Sequence, residues 1–232
     1  MCGTCGCNIP QTIADGHESI EVLTGLLDAN DHQAAHNREH FSEHGVLAIN
    51  LMSSPGAGKT ALLEATIEAF GDKFRIAVIE GDLETENDAE RIRAKGVPAV
   101  QISTGSACHL DAHMVHGALH DLDLQDVDIL FIENVGNLVC PASFDLGQHF
   151  NVALLSTPEG DDKPAKYPVM FRAADLVLVT KSDLLAVLDD FDPDEALRCL
   201  RQLASSAPML NLSAKTGDGM HNWVNWVEEA RA

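Results

Sequence analysis

The sequence predicts an α/β fold, a doubly wound, mostly parallel sheet of about seven strands with helices on both faces. Three observations carry that prediction. Seven short apolar runs, at 46–52, 75–80, 99–103, 128–133, 151–156, 175–180 and 208–212, alternate with helical patterns at 59–70, 86–95, 109–121, 166–173, 193–204 and 219–231. Such alternation reads as successive strand–helix–strand units with right-handed crossovers, whose strands are buried on both faces. The first run passes through a Gly-containing turn directly into a helix start. Ligands in such sheets bind beyond the carboxyl ends of the strands, and every chemically suggestive motif of the chain falls there.

Taken in order, the chain begins with residues 1–18, which hold three cysteines, three glycines and little apolar material and are expected to form a mobile tail. In Ser19–Phe41, Ile20, Leu23, Leu26 and Leu27 recur at helical spacing. His32, His36, His40 and His44 follow at steps of four, but Asn30, Asn37 and Gly45 argue against one continuous helix. Two readings of the histidines stay open: a solvated His-rich face, or an auxiliary metal reservoir in which imidazoles four apart share an ion. We therefore divide the chain into a Cys- and His-containing N-terminal segment, 1–44, flexible and metal-binding, and one domain, 45–232.

Composition narrows the class of partner. With 232 residues and 45% hydrophobic content there is enough chain for one sizeable core. A formal charge of −21 disfavours nucleic acid and anionic membranes as partners. No apolar run approaches a membrane span, and the first residues lack the basic and apolar regions of a signal peptide, which predicts the cytoplasm. The six cysteines would stay reduced there, so clustered ones read as metal or redox sites.

The turn after the first strand is Ser53-Ser54-Pro55-Gly56-Ala57-Gly58-Lys59-Thr60, with Ala61 opening the helix. It matches G-x-x-x-x-G-K-[ST] except that Ser53 replaces the first glycine. Gly56, Ala57 and Gly58 would bring backbone N–H groups to a phosphate chain, Lys59 would neutralise its terminal charge, and the Thr60 hydroxyl would bind Mg²⁺. Two acids stand at later strand ends. Asp82 lies where a switch loop would meet Mg²⁺ or orient the attacking water, and Glu133, before Asn134-Val135-Gly136, is the second metal candidate. Lys59, Asp82 and Glu133 are thus the expected catalytic residues, and Thr60, Asp82 and Glu133 the Mg²⁺ ligands. Thr180-Lys181-Ser182-Asp183 resembles the guanine-reading N-K-x-D element, with threonine for asparagine, and Ser213-Ala214-Lys215 resembles the S-A-K element. Asp183 would accept from guanine N1 and N2, and Lys181 would pack on the base. In order, each directly after a strand, they favour GTP over ATP.

Three cysteine groups remain. Cys2-x-x-Cys5-Gly6-Cys7 packs three thiols beside the terminal amine, a donor set suited to Ni²⁺ or Cu²⁺ with Zn²⁺ competing. Cys108-His109 and Cys140 follow the third and fourth strands, at the nucleotide edge, and supply three ligands of a second site. His113, His116 and His120 continue from His109 at helical spacing; His116 and His120 read as a solvated helix face. Cys199 reads as core packing.

Together these residues resemble the nickel-incorporation GTPases of hydrogenase maturation, the HypB family, in the SIMIBI class of phosphate-loop NTPases. The resemblance spans nearly the whole chain and rests on Cys2-x-x-Cys5-Gly6-Cys7, the run Asn50 to Thr60, Cys108-His109-Leu110-Asp111, and the run Ile132 to Pro141. It implies a GTPase that turns GTP into GDP and phosphate, a nickel site on the N-terminal tail, and a Ni²⁺/Zn²⁺ site of Cys108, His109 and Cys140 shared across a GTP-dependent homodimer. It further implies that the accessory protein HypA and the hydrogenase large-subunit precursor are partners. Serine at the first glycine position is usual in that family. Two other readings remain: a metal-storage protein with incidental hydrolysis, or a related GTPase serving urease or cobalamin enzymes. A urease chaperone would carry Cys-Pro-His, whereas Cys140-Pro141 precedes Ala142.

Overall fold

A computed structural model describes residues 16–82, 86–105 and 107–232, with the side chains of 16–26 left aside. Cys2, Cys5 and Cys7, and with them the expected tail, lie outside the described residues. The strands are β1 (Leu47–Ser53), β2 (Ile76–Asp82), β3 (Ala99–Ser103), β4 (Ile129–Glu133), β5 (Phe150–Ser156), β6 (Leu176–Thr180) and β7 (Met209–Asn211). They form one sheet in the order β3-β2-β4-β1-β5-β6-β7. Every pairing is parallel, so the sheet is wholly rather than mostly parallel.

Side-chain alternation sorts the core into two faces. Leu47, Ile49 and Leu51 of β1 point to the layer of α2 (Lys59–Phe70) and α8 (Met220–Arg231), where Leu63, Ile67, Trp223 and Val227 are buried. Trp223 is fully enclosed there and donates its indole N–H to Thr66 Oγ1 at 2.8 Å. Ile92 of α3 (Asn87–Ala94) joins the same face. Ala48 and Ala77 point the other way, toward α1 (Gly16–His44) and α4 (Ala112–Leu119). Farther along that face Met52 and Ala153 meet α6 (Pro168–Ala173) and α7 (Pro193–Gln202). No helix among the described residues is long and apolar enough to cross a membrane.

Three expectations about helices need correction. First, α1 is one uninterrupted 29-residue helix despite Asn30 and Asn37. Both asparagines are buried and bonded across to the domain: Asn30 takes Ala112 N–H and donates to Asp145 O, and Asn37 donates to Ala112 O and Leu146 O. These tertiary bonds outweigh a helix-propensity cost of well under ~1 kcal/mol. Phe41 and Ala34 of the same helix are fully buried, so its second half packs against the sheet layer. Second, the pattern at 109–121 yields a helix only from Ala112, because Asp111 caps it, accepting from Met114 N–H at 2.8 Å. Third, the helix expected at 166–173 is two pieces, α5 (Lys163–Lys166) and α6, broken at Tyr167, which precedes Pro168 and is pushed out of helical geometry.

Candidate functional site

At the carboxyl edge of the sheet β1 ends at Ser53 and α2 begins at Lys59, with Gly58 at the helix N-cap in a left-handed conformation (φ 98°). No side chain among the described residues caps that end, so its first N–H groups stay open toward an anion. The Lys59 ammonium donates to Ser53 Oγ at 3.1 Å, and that hydroxyl donates onward to Ser54 O. Serine at the first loop position thus holds the lysine in place, with Lys59 only 8% exposed.

Glu133 at the end of β4 faces this loop. Its Oε1 accepts from Thr60 Oγ1 at 3.0 Å and lies 4.0 Å from Lys59 Nζ. Because β2 and β4 are neighbours with Glu80 opposite Glu133, a second carboxyl stands beside the first. Ligand oxygens of Glu80, Asp88 and Glu133 all lie within 4.8 Å of one another. Burial pushes the Glu80 carboxyl up to about 8, with the Glu133 charge adding to it. Burial likewise lifts Glu133 to about 7, against the pull of Lys59 and the Thr60 hydrogen bond. Glu80 Oε2 and Glu133 Oε2 are buried with no hydrogen-bond partner among the described residues. Such orphaned carboxylate oxygens next to a threonine hydroxyl fit a hard divalent cation of the Mg²⁺ kind. Asp82 lines the same cleft but lies outside the cluster of three; Asp88 joins it, held at the rim by Arg91 at 2.9 Å. Sequence reasoning missed Glu80 and Asp88. After Glu133 the chain crosses the phosphate loop so closely that a Cβ on Gly136 would sit 2.8 Å from Pro55 Cα.

The expected base-reading elements lie on the same edge. Thr180 Oγ1 donates to Ala57 O and Lys181 Nζ to Gly56 O, both at 2.7 Å, so they tie this element to the phosphate loop. Threonine at the position of the expected asparagine thus makes a tether of its own to the phosphate loop. Asp183 Oδ1 accepts from Ser213 Oγ at 2.7 Å, which joins the two base motifs; Ala214 and the exposed Lys215 follow on the same loop.

Cys108, His109 and Cys140 also converge, their ligand atoms lying within 4.8 Å of one another. The two sulfurs are 2.9 Å apart without a disulfide, and His109 Nδ1 is 3.7 Å from Cys108 Sγ. His109 is buried and stacked on Phe144 at 3.8 Å. Burial lowers its pKa, which keeps the imidazole neutral and able to ligate. A buried amide joins this loop to the nucleotide edge. Asn134, next to Glu133, accepts from Leu110 N–H at 3.2 Å and donates to Asn50 Oδ1, and Asn137 donates to Cys108 O. His116, expected on a solvated face, is instead half-buried against α1, whereas His113 and His120 are exposed.

Strand order and phosphate loop define a P-loop NTPase, with the thiol–imidazole cluster, a candidate soft-metal site, built against its nucleotide cleft. Comparison with known proteins narrows this. A family model described as "CobW/HypB/UreG, nucleotide-binding domain" matches residues 47–211. The hydrogenase maturation factor HypB of Azotobacter vinelandii is 54% identical over 212 residues, covering 91% of this chain and 70% of that protein. The hydrogenase/urease maturation factor HypB of Helicobacter hepaticus is 48% identical, covering 93% and 89%. A crystal structure of HypB from Helicobacter pylori in complex with nickel superimposes with a TM-score of 0.84 at 43% identity, over 88% of this chain and 95% of that one. The chain belongs to the CobW/HypB/UreG family, among its HypB hydrogenase maturation factors.

Proposed function

We propose that this chain is a GTP-hydrolysing nickel metallochaperone that inserts Ni²⁺ into the precursor of the [NiFe]-hydrogenase large subunit, with GTP-dependent dimerisation coupled to metal transfer. The observation that carries the coupling is the neighbouring pair at the end of β4. Glu133 bonds Thr60 and faces Lys59, while Asn134 bonds the backbone of the Cys108-His109 loop. A rearrangement of that strand end therefore reaches nucleotide and metal together. It is a contiguous packed route rather than action at a distance.

In this reading Lys59 and the α2 N-terminus hold the terminal phosphates, and Thr60, Glu133 and Asp82, joined by Glu80, hold Mg²⁺. When bound, that ion neutralises charge on the phosphate oxygens. Asp183, Lys181 and the Ser213–Lys215 loop select guanine. Cys108, His109 and Cys140 carry the cargo, Ni²⁺ with Zn²⁺ as competitor, and a second protomer completes the coordination. Cys2, Cys5 and Cys7 of the segment 1–44 form a separate nickel site. The accessory protein HypA and the large-subunit precursor are the partners, and the cytoplasm is the compartment. The name of the Helicobacter hepaticus relative, which joins hydrogenase and urease, keeps a urease client as a second reading.

Equilibrium dialysis of Ni²⁺ and Zn²⁺ tests this, using the wild type, the Cys2→Ala/Cys5→Ala/Cys7→Ala variant and the Cys108→Ala/Cys140→Ala variant, each with GDP and with a non-hydrolysable GTP analogue. Nucleotide should alter binding in the first two and not in the third. The same nucleotide response in all three would remove the proposed site from the mechanism.

A further inference from the structure

Two of the histidines spaced along α1, His36 and His40, meet a histidine of another helix, His116 of α4. The ligand nitrogens of His36, His40 and His116 all lie within 4.8 Å of one another, and the ring centroids of His36 are 4.7 Å from His40 and 5.1 Å from His116. His32, on the same sequence spacing, belongs to no such group among the described residues. Two of the rings are half-buried between α1 and α4, and His36 is exposed, which leaves the cluster open to solvent on one side.

The surrounding hydrogen bonds fix how His116 is presented. The Asn37 side chain is fully buried and its amide nitrogen donates to two carbonyls, Ala112 O at 2.8 Å and Leu146 O at 3.0 Å. Its oxygen must therefore be the acceptor. That oxygen lies 3.1 Å from His116 Nδ1, so Nδ1 carries the proton and Nε2 of the neutral ring keeps its lone pair. Outer hydrogen bonds of this kind are what orient metal-bound imidazoles and fix their tautomer. Burial, followed by the charges of His36, His120, His40 and His113, holds His116 below the ordinary histidine pKa, in the form that ligates.

We propose that His36, His40 and His116 form a further binding site for a borderline divalent cation, Ni²⁺, Zn²⁺ or Cu²⁺, held between α1 and α4 with water completing the coordination. Three neutral imidazoles suit these ions, and a hard ion such as Mg²⁺ or Ca²⁺ is a poor match. The site is separate from the thiol cluster but close to it in the fold, because α4 starts immediately after Cys108–Asp111. An ion there would staple α1 to the helix that follows the metal loop and provide holding capacity beside the transfer site. It does not depend on which nucleotide the cleft takes. A rival donor set, His40, Glu43 and His44, lies along α1 alone.

The test uses the full chain with Cys2, Cys5, Cys7, Cys108 and Cys140 replaced by alanine, which removes both thiol clusters and leaves only Cys199, buried in the core. Zn²⁺ and Ni²⁺ titrations should give one ion per chain, with a rise in thermal midpoint on binding. In that background His116→Ala and His36→Ala should each weaken binding by at least ~10-fold and abolish the thermal rise. His32→Ala and the Glu43→Ala/His44→Ala pair should leave both intact. Far-ultraviolet circular dichroism and GDP binding, which none of these residues touches, report that each variant is folded. Unchanged binding in a folded His116→Ala variant, or loss confined to the Glu43→Ala/His44→Ala pair, would overturn the proposal.

Discussion

Replacing Glu80 by glutamine should stabilise the nucleotide-free protein, and increasingly so as pH rises. The folded state raises the Glu80 carboxyl from 4.5 to about 8 because it is buried and faces Glu133. A proton is therefore held by the folded chain and released by the unfolded chain between those values. Stability that the protonated pair allows at pH 5 is lost as pH rises toward 8, and no further loss occurs above it. At ~1.4 kcal/mol for each tenfold change in the proton equilibrium, ionising Glu80 costs the folded state up to roughly 5 kcal/mol. A glutamine side chain at this position keeps the shape and cannot ionise. Urea denaturation without Mg²⁺ or nucleotide should find the two proteins within ~0.5 kcal/mol of each other at pH 5, and Glu80→Gln more stable by roughly 2–5 kcal/mol at pH 9. Adding Mg²⁺ with nucleotide should invert the order at pH 9, since the wild type alone gains the cation's full binding energy. A difference that stays flat with pH, or a variant less stable at pH 9 without ligand, would refute the reasoning.

Other substitutions probe the contacts around the cleft. Gly136→Ala should weaken a GTP analogue by ~10-fold or more, measured by fluorescent-nucleotide displacement, because the new methyl meets the Pro55 backbone at 2.8 Å and pushes this segment off the phosphate loop. Thr180→Ala removes the bond to Ala57 O and should lower GTP and GDP affinity alike, by ~1 kcal/mol or about fivefold in the same assay. Asp183→Asn should cost GTP on the order of 100-fold and recover binding of xanthosine triphosphate, whose base offers an acceptor where guanine has an amino donor.

The strands were legible because each is a short apolar run closed by polar residues, and β1, β2 and β4 start and stop within two residues of where the runs do. Local chemistry likewise announced the phosphate loop and the Cys108-His109 and Cys140 loops, since glycine, lysine and thiol patterns at strand ends have few other uses. What spacing cannot carry is which strands are neighbours. Glu80 escaped notice because its meaning depends on β2 lying against β4 in the register that sets it opposite Glu133. The continuity of α1 was hidden for a related reason. Asn30 and Asn37 oppose a helix by propensity, yet their carboxamides are consumed by carbonyls and an N–H from residues 75 to 115 positions away. His116 could be placed on a helix from sequence, but its contact with His36 and His40 exists only once α1 and α4 are packed together.

The central claim is that nucleotide state and metal affinity are linked through the end of β4. The direct measurement is the Ni²⁺ dissociation constant of the Cys2→Ala/Cys5→Ala/Cys7→Ala chain with GDP and with a non-hydrolysable GTP analogue, repeated on the same chain carrying Asn134→Ala. The account predicts a nucleotide-dependent change of about 5–150-fold in the first chain, mirrored by an equal change in analogue affinity when Ni²⁺ is added, and a much smaller change once Asn134 is removed. Identical Ni²⁺ dissociation constants with the two nucleotides, at a protein that binds both, would contradict it.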